Sequence, residues 1–591
     1  MPFHLPGKSL FFFPAVIAPA WILSSCSTDN YVRSADTEVR GIIEHNQKLV
    51  LDTPSAPVVI DTPYSELNPD YIQPEIIVRE RQKGEPMRIT LTEAIELSVR
   101  SRREYQNQRE NLYLAALDLT RARHDYTPRI TSLGSTGSLE SARLRNANGD
   151  YDETSRDLAI GTRAGFDQVF ITGGALAVDL AQDIFKFYLG GSGSNGSTRF
   201  LSARLTQPLL RGRGAIATEN LTQRERNVAY AVRTYSRFQQ RNVIDITSAY
   251  FRILQEKDRV RNEYSSYQNL VIFADRARAL AEDRLPRFQL DQAKQSELRA
   301  RARYISATNS YRNLVDNFKI TLGLPLGGEL LLDDSALRSL AEAGLPHIPF
   351  DSDPAFHVAV NHRLDLFNEI DRFEDAKRKV TVAADAFKPG VNLFAGIDVD
   401  TNNGSRSYSD FDADAYYSRI GLDIDLPIDN LAARNEFRRT KIDFERQLRQ
   451  LSQALDSIHG DLRSGLRGLD LSRQIYSIQQ NALKLANQRV DGANMLLDAG
   501  RASTRDLLDS QNDQLTAQNA VTSALVDYHL TRLNLLYNMG IFDPSLPQFW
   551  VKNPSFPQIK SKEPQFKPVD TAGSERLITP EELFLETRPR S

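Results

Sequence analysis

The fold is decided by the segment Val391-Asn392-Leu393-Phe394-Ala395-Gly396-Ile397-Asp398-Val399-Asp400. Its odd-numbered residues are all apolar, and most of its even-numbered residues are polar or Gly. A period of two is typical of a β-strand with one apolar and one polar face. A second alternating run, Ile420 to Leu426, follows a stretch at 401–417 that is rich in Asn, Gly, Ser and Asp. The two runs therefore predict a β-hairpin.

Similar alternation occurs earlier in the chain. It predicts up to four more strands, near Ile130–Ala142, Asp157–Phe170, Leu176–Ala181 and Leu201–Thr206. Gly173-Gly174 is predicted as a turn and 190–197 as a loop. We therefore expect up to four strands in the first half and two in the second.

The order of features in the first half is repeated in the second. Each half has a polar amphipathic helix that ends before a proline, then strands, a second proline, and a helical region of little more than 100 residues that ends in Gly. The predicted short helices are Thr92–Asp125 and Pro354–Ala386, the prolines are Pro128, Pro389, Pro208 and Pro427, and the glycines are Gly323 and Gly540. The matching order predicts a structural duplication.

The long helical regions have the pattern of coiled-coil hairpins. Each breaks once, near Arg284–Arg287 in the first half and at Gly500 in the second, and the returning arm is about half as long as the outgoing one. We expect each short helix to stack on a returning arm. In the second half, apolar residues recur every three or four positions at Leu448, Leu451, Leu455, Ile458, Leu462, Leu466 and Leu469.

The first 26 residues have the features of a secretory signal. Lys8 precedes an apolar run from Leu10 to Leu23, which at about 14 residues is too short to span a bilayer. The run ends in Leu23-Ser24-Ser25-Cys26, which resembles the lipobox of bacterial lipoproteins and predicts acylation of Cys26, for example by palmitate. Ordinary cleavage beside an incidental cysteine is the alternative. Cys26 is the only cysteine, so a disulfide within the chain is excluded.

Export changes the interpretation of the strands. In a soluble sandwich the apolar face would cover a core, whereas in a membrane barrel it would face lipid and the polar face would line a lumen. A single hairpin of this kind is only marginally stable and needs partner strands, which symmetric copies would supply. The sequence therefore favours a barrel built from several chains.

Composition argues against several other functions. The net charge of −3 gives no reason to expect nucleic acid. The eight histidines are scattered without metal-ligand spacing, so we expect no metal site and no cofactor. Gly7-Lys8-Ser9 imitates the end of a P-loop but lacks the preceding glycines. We expect no enzymatic activity.

Several stretches resemble the TolC family of outer-membrane factors over about Ile89 to Pro544. They are Leu91-Thr92-Glu93-Ala94-Ile95, Gln207-Pro208-Leu209-Leu210-Arg211, the Pro128 and Pro389 strand entries, and Gly500-Arg501-Ala502-Ser503-Thr504-Arg505-Asp506-Leu507-Leu508-Asp509-Ser510-Gln511. The resemblance implies an α+β membrane protein. Duplicated long antiparallel coiled-coil helices would form a periplasmic α-barrel, and strands from a homotrimer would close one transmembrane β-barrel. The typical family barrel takes four strands per chain, which leaves four or six open here.

The same resemblance implies functional residues at the periplasmic tip. Asp506 and Asp509 match positions that line the periplasmic entrance in some members; the alternative is that they are ordinary solvated carboxylates. Turn and adaptor-contact positions would be Arg284, Leu285, Pro286, Gly500 and Arg501, although the first tip lacks the usual glycine.

The predicted function is that of an outer-membrane channel subunit of a tripartite efflux system. It would be lipid-anchored in the outer membrane of a Gram-negative-type cell and would work with a periplasmic adaptor and an inner-membrane pump. A type I secretion duct and a non-channel coiled-coil scaffold lipoprotein are the alternatives. The predicted segments are the signal 1–26, an extension 27–88, the repeats 89–325 and 354–544, a linker 326–353 and a Pro-rich tail 545–591.

Overall fold

The structure, a computed structural model, describes residues 28–51, 58–65, 67–142, 155–189, 196–280, 286–400, 416–499 and 501–557. The chain divides into two units, residues 1–554 and 555–591, and the second is described only over its first three residues. Every element named below belongs to the first unit.

Eleven α-helices lie in the described residues. They are α1 Thr28–Leu51, α2 Pro74–Gln82, α3 Leu91–Ser101, α4 Arg103–His124, α5 Glu219–Leu280, α6 Arg287–Leu322, α7 Ser335–Ala343, α8 Ser352–His362, α9 Leu364–Asp385, α10 Leu431–Asp498 and α11 Thr504–Asn538. The longest, α5 and α10, have 62 and 68 residues. They therefore reach about 90 to 100 Å at the rise of an α-helix.

Over the described ranges, eight strands form two sheets. They are β1 Met87–Ile89, β2 Arg129–Ala142, β3 Ser155–Val169, β4 Ala175–Leu189, β5 Gly196–Pro208, β6 Leu330–Leu332, β7 Gly390–Asp400 and β8 Tyr416–Asp425. The larger sheet is antiparallel with the order β2-β3-β4-β5-β7-β8. The prediction of four strands from the first half and two from the second is confirmed, as is the turn at Gly173, where φ is +89°.

The duplication is regular in the returning arms and in the short helices. Returning arms α6 and α11 begin 217 positions apart, and Gly323 and Gly540, which follow them, are separated by the same 217 positions. The short helices α3 and α4 repeat in α8 and α9 after 261 positions, with identical lengths of 11 and 22 residues. The two halves can therefore be compared position by position.

The prediction of one continuous short helix in each half was wrong. Each helix is interrupted by an arginine with extended backbone, Arg102 between α3 and α4 and Arg363 between α8 and α9. The residue before each interruption lies against the glycine after a returning arm: a Cβ on Gly323 would lie 2.2 Å from the Ser101 carbonyl oxygen. The predicted stacking of short helices on returning arms thus occurs at these two interruptions.

The region around these junctions, which we call the waist, comprises 87–102, 323–363 and 539–554. In the first repeat it contains the parallel pair β1–β6 and α7, so the segment 326–353 is more than a linker. Thr90 and Glu93 start α3 with reciprocal side-chain-to-backbone hydrogen bonds, a capping box. These elements enclose an apolar core against α5, α6 and α11, formed by Ile89, Leu91, Tyr250, Phe251, Leu254, Phe318, Leu322, Leu330, Leu332, Leu340, Leu525, Val526 and Leu530.

The N-terminal extension contributes one packed helix. Val39, Ile42 and Ile43 of α1 are buried in a cluster with residues of α4 and α5, which include Leu112 and Val232. Tyr113 of α4 donates a hydrogen bond to Asp36 of α1 at 2.6 Å. α1 therefore covers the groove between α4 and α5.

Candidate functional site

The larger sheet has one apolar face that continues across all six strands. The register places six apolar residues side by side, one from each strand: Leu133, Ala164, Leu180, Leu201, Val399 and Tyr416. Parts of this face are strongly exposed, with Ile420 79% and Ile424 61% accessible. No soluble core covers these side chains of β8.

The opposite face of the same sheet is polar. The row next to the apolar one reads Ser132, Gly165, Asp179, Ser202, Asp398 and Tyr417 across the same six strands. Arg419 donates a hydrogen bond to Asp398 at 2.7 Å on this face. The sheet thus separates an apolar surface from a charged one, and β2 and β8 form its two edges.

At the other end of the long hairpins, the two tips are tied together. Thr504 at the start of α11 donates a hydrogen bond to Gln289 of α6 at 3.0 Å, and Arg276 of α5 pairs with Asp498 of α10. Behind these contacts lies an apolar cluster formed by Leu270, Phe273, Ala274, Ala277, Ala293, Ala300, Ala493, Leu507 and Leu508. The tip of one repeat is therefore fixed relative to the other.

The two predicted entrance carboxylates are close in sequence but differ in their contacts. Asp506 accepts hydrogen bonds from the backbone N–H and hydroxyl of Ser503, at 2.9 and 2.7 Å, and these bonds lower the pKa of its carboxyl. It completes the capping box that starts α11. Asp509 is exposed and lies 3.6 Å from Arg505. Asp506 thus has a structural role that its resemblance to an entrance residue did not indicate.

The other predicted tip residues are only partly described. Pro286 precedes α6 with extended backbone, and its carbonyl accepts from the Gln289 N–H at 2.9 Å. Arg501 is exposed, and its backbone N–H donates to the Leu496 carbonyl at 2.8 Å. Cys26, Arg284, Leu285 and Gly500 lie outside the described residues.

A ladder of ion pairs, not predicted from the sequence, joins the two repeats where α5 of the first meets α9 of the second. The arginines of α5 follow a spacing of seven and four, which places them on one helix face and is the signal that could have identified them. The pairs are Arg226 with Asp375 at 2.5 Å, Arg233 with Asp371 at 2.5 Å, and Arg237 with Asp365 at 3.5 Å.

Asp375 is the most enclosed acid of this ladder, with 4% of its surface accessible. Burial alone would raise the pKa of its carboxyl, but hydrogen bonds from Tyr230, Gln223 and Arg226 outweigh it and lower the pKa. Asp375 therefore remains ionised and holds the first repeat against the second.

A buried cation in the second-repeat waist was also missed. Arg532 of α11 is fully buried and donates hydrogen bonds to the carbonyl oxygens of Phe549, Trp550 and Val551 and to Oδ1 of Asn553. Burial lowers its pKa to about 10, so it stays charged at neutral pH. The first part of the predicted tail is thereby fixed in the waist. An arginine within the apolar stretch 525–536 was the available signal.

Two further features are absent from the described residues. No cluster of His, Cys, Asp and Glu there could hold a metal ion. None of the helices there combines the length and the apolar character needed to cross a membrane.

No protein-family model and no curated protein matches the chain. Solved structures do match it: the outer membrane protein VceC from Vibrio cholerae is 14% identical over 76% of this chain and 96% of its own, with a TM-score of 0.55.

Two further outer-membrane channels give similar values. The open state of MtrE from Neisseria gonorrhoeae is 14% identical over 76% of this chain and 89% of its own, with a TM-score of 0.55. CmeC from Campylobacter jejuni is 13% identical over 77% and 87%, with a TM-score of 0.54. The chain therefore has the fold of outer-membrane channels, as its resemblance to TolC-like outer-membrane factors implies.

Proposed function

We propose that three copies of the chain form a passive channel in an outer membrane, through which a pump and an adaptor export small molecules. The observation that carries this proposal is the six-stranded sheet, whose apolar face is exposed and whose opposite face is charged. A sheet of this kind is stable where hydrocarbon covers one face and water the other.

The edges of the sheet explain why several copies are needed. In hydrocarbon, each unpaired backbone N–H or C=O costs several kcal/mol, so an open sheet edge is not tolerated. β2 and β8 are the two edges, and pairing β8 of one copy with β2 of the next would remove both. Three is the number of copies that the resemblance to the TolC family implies.

The duplication suggests where neighbouring copies meet along the helices. Within the chain, α5 contacts α9 through the ion-pair ladder. One repeat further, the equivalent surfaces are α10 and the α4 of the next copy. Leu114, the equivalent of Asp375, is 57% exposed on α4, as expected for a residue awaiting a partner chain. The helices of three copies would then enclose a tunnel.

The direction of α1 supports a lipid anchor at Cys26. Asp36, near the start of α1, bonds Tyr113 in the middle of α4, whereas Ile60, which follows α1, accepts from Gln106 at the waist end of α4. α1 therefore starts on the side of the sheet. A lipid anchor that precedes α1 in sequence is compatible with this direction.

Conductance in planar bilayers tests the channel. The purified chain should form ion-conducting pores, and removing the inter-hairpin pair by Arg276→Ala should increase their open time because it loosens the tip. Arg278→Ala is the matched control, since Arg278 pairs with Asp275 within the same helix. Absence of conductance in both the native chain and Arg276→Ala would overturn the proposal.

The entrance role proposed for the two tip carboxylates needs variants that respect the helix cap. Asp509→Asn removes charge alone, and Asp506→Gln removes charge with a side chain that can still complete a capping box. A ring of carboxylates binds polyvalent cations, so both variants should weaken block by such ions. Unchanged block in both would remove these residues from the entrance.

A further inference from the structure

The strands β3 and β4 form an additional hairpin inserted between β2 and β5. They occupy residues 155–189, and each spans 15 residues, as long as any other strand of the sheet. β2 leaves the helices and β5 returns to them, so these two strands would form a hairpin by themselves if 155–195 were absent. What remains would be four strands per chain, the number that resemblance to the TolC family implies.

The inserted hairpin continues the two-faced pattern of its neighbours without a shift. In the apolar row it supplies Ala164 and Leu180 between Leu133 and Leu201, and in the polar row it supplies Gly165 and Asp179. A hairpin folded over one face of the sheet would interrupt these rows. Here it lies in the same layer, between β2 and β5.

The turn of the hairpin is fastened at the helical end of the sheet. Gly173 has φ +89°, and a Cβ there would lie 2.6 Å from the Gly212 carbonyl oxygen. Thr172 donates to Gln207 at 2.9 Å, and its carbonyl accepts from the Gly214 N–H at 3.3 Å. The hairpin therefore begins and ends level with the other strands and crosses the full height of the sheet.

We propose that this hairpin is part of the channel wall, so that three copies close a barrel of eighteen strands instead of twelve. This inference rests on the proposed channel function. Barrel diameter grows roughly in proportion to strand number, so the bore would be about 1.5-fold wider and its cross-section about twofold larger. Such a barrel holds a wide aqueous lumen, into which Arg163, Asp179 and Asp183 project.

The wider barrel changes which solutes the membrane part admits. Polymers added on the side of the strand loops enter the barrel without passing the helical tip, so their size limit reports the bore of the barrel alone. In the full chain, the largest polymer that enters should have the size that a barrel of eighteen strands admits.

Deleting residues 155–195 is the decisive experiment. The variant should still assemble, but images of single particles should show the barrel narrowed by about a third, and the polymer size limit should fall. An unchanged diameter and size limit would place the hairpin outside the wall and overturn the inference. Full chains that neither conduct nor form closed rings would instead overturn the channel itself.

A labelling pair decides the question if the deletion variant fails to fold. Leu180→Cys and Ala181→Cys are neighbours on β4 with opposite faces. In lipid vesicles a water-soluble maleimide should label Ala181→Cys and leave Leu180→Cys unlabelled, relative to the unsubstituted chain. Equal labelling of the two would show that no lipid covers the hairpin.

Discussion

At equivalent positions of the two returning arms, α6 carries Val315 and α11 carries Arg532. Val315 packs in the apolar waist core with Phe318 and Leu322. Arg532 is equally enclosed, yet its partners are three backbone carbonyls and an asparagine from the segment after α11. The first repeat therefore closes its waist with short strands and a helix, and the second closes it with a turn-rich segment around a cation.

The difference shows how one architecture can be stabilised by two kinds of force. Apolar burial is non-directional and tolerates exchange of similar side chains. A buried guanidinium needs particular acceptors in particular directions, and losing either side leaves buried polar groups unsatisfied. The second waist should therefore be the more specific of the two and the more easily broken.

The largest expected loss of stability comes from placing each of the two residues at the other's position. Val315→Arg would bury a cation without the carbonyl cage and should cost about 5 kcal/mol of stability. Arg532→Val would leave three carbonyls without donors and should cost about 3 kcal/mol. Thermal unfolding followed by circular dichroism measures both. Losses of stability below about 1 kcal/mol in both variants would show that the two sites are interchangeable.

Acid should weaken the second waist before the first. His529 is buried beside Arg532, and its Nε2 lies 3.0 Å from the Gly344 carbonyl oxygen. Burial, followed by the Arg532 charge, lowers its pKa to about 4. An exposed histidine has a pKa near 6.5, so below that pH the unfolded chain binds a proton that the folded chain excludes. Stability should fall by about 3 kcal/mol between pH 6.5 and 4.

The variant His529→Gln isolates this effect. Its amide can still donate to Gly344, but it does not titrate, so the dependence of stability on pH over that range should flatten. The equivalent residue of the first repeat, Arg312, is exposed. Arg312→Gln should leave the pH dependence as it is. An unchanged profile in His529→Gln would exclude this histidine as the source.

Substitution of either waist glycine should destabilise the protein by a similar amount, unlike substitution of Val315 and Arg532. Gly323 and Gly540 have φ of +77° and +76°, and a Cβ on either would meet backbone atoms of Ser101 or His362 within 3 Å. Each Gly→Ala change should cost about 2 kcal/mol, with the larger loss at Gly323 because its contact is closer. Gly460→Ala, in open space on α10, is the control.

The smallest expected effect concerns Tyr250 of α5 and its equivalent, Arg467 of α10. The Tyr250 hydroxyl lies within hydrogen-bond distance of the Ile89 and Asp333 carbonyls, at 3.1 and 2.9 Å. Tyr250→Phe should cost about 1.5 kcal/mol. Arg467 is exposed, and Arg467→Ala should change stability by less than about 0.5 kcal/mol. Equal losses in chemical denaturation would contradict the burial of the Tyr250 hydroxyl against these two carbonyls.

Much of this fold follows from sequence periodicity. The alternation at 391–400 and the leucine spacing of α10 extend over many residues, so they predicted strands and hairpin arms correctly. The sequence did not predict the helix interruptions at Arg102 and Arg363, because arginine is an acceptable helix former. The breaks are imposed by tertiary contacts with Gly323 and Gly540. The strands β1 and β6 have three residues each, too few for any period to show.

The candidate site residues also differ in whether a local sequence pattern or a tertiary contact determines their role. Asp506 could be located by resemblance, but its bond to Ser503 follows from the local capping pattern, which resemblance alone does not supply. The ladder between α5 and α9 requires knowing which helices are neighbours. Arg532 looks unfavourable in sequence, because three of its four partners are backbone carbonyls, which no side-chain pattern reveals.

The separation of 217 positions between the two returning arms has a consequence for how the hairpins can change in length. One residue inserted into α10 would rotate everything beyond it by about 100° and displace the tip by about 1.5 Å. The bond between Thr504 and Gln289 would then no longer align. The hairpins can therefore change in length only if both gain or lose the same number of residues. Each repeat constrains the length of the other through the contacts between their tips.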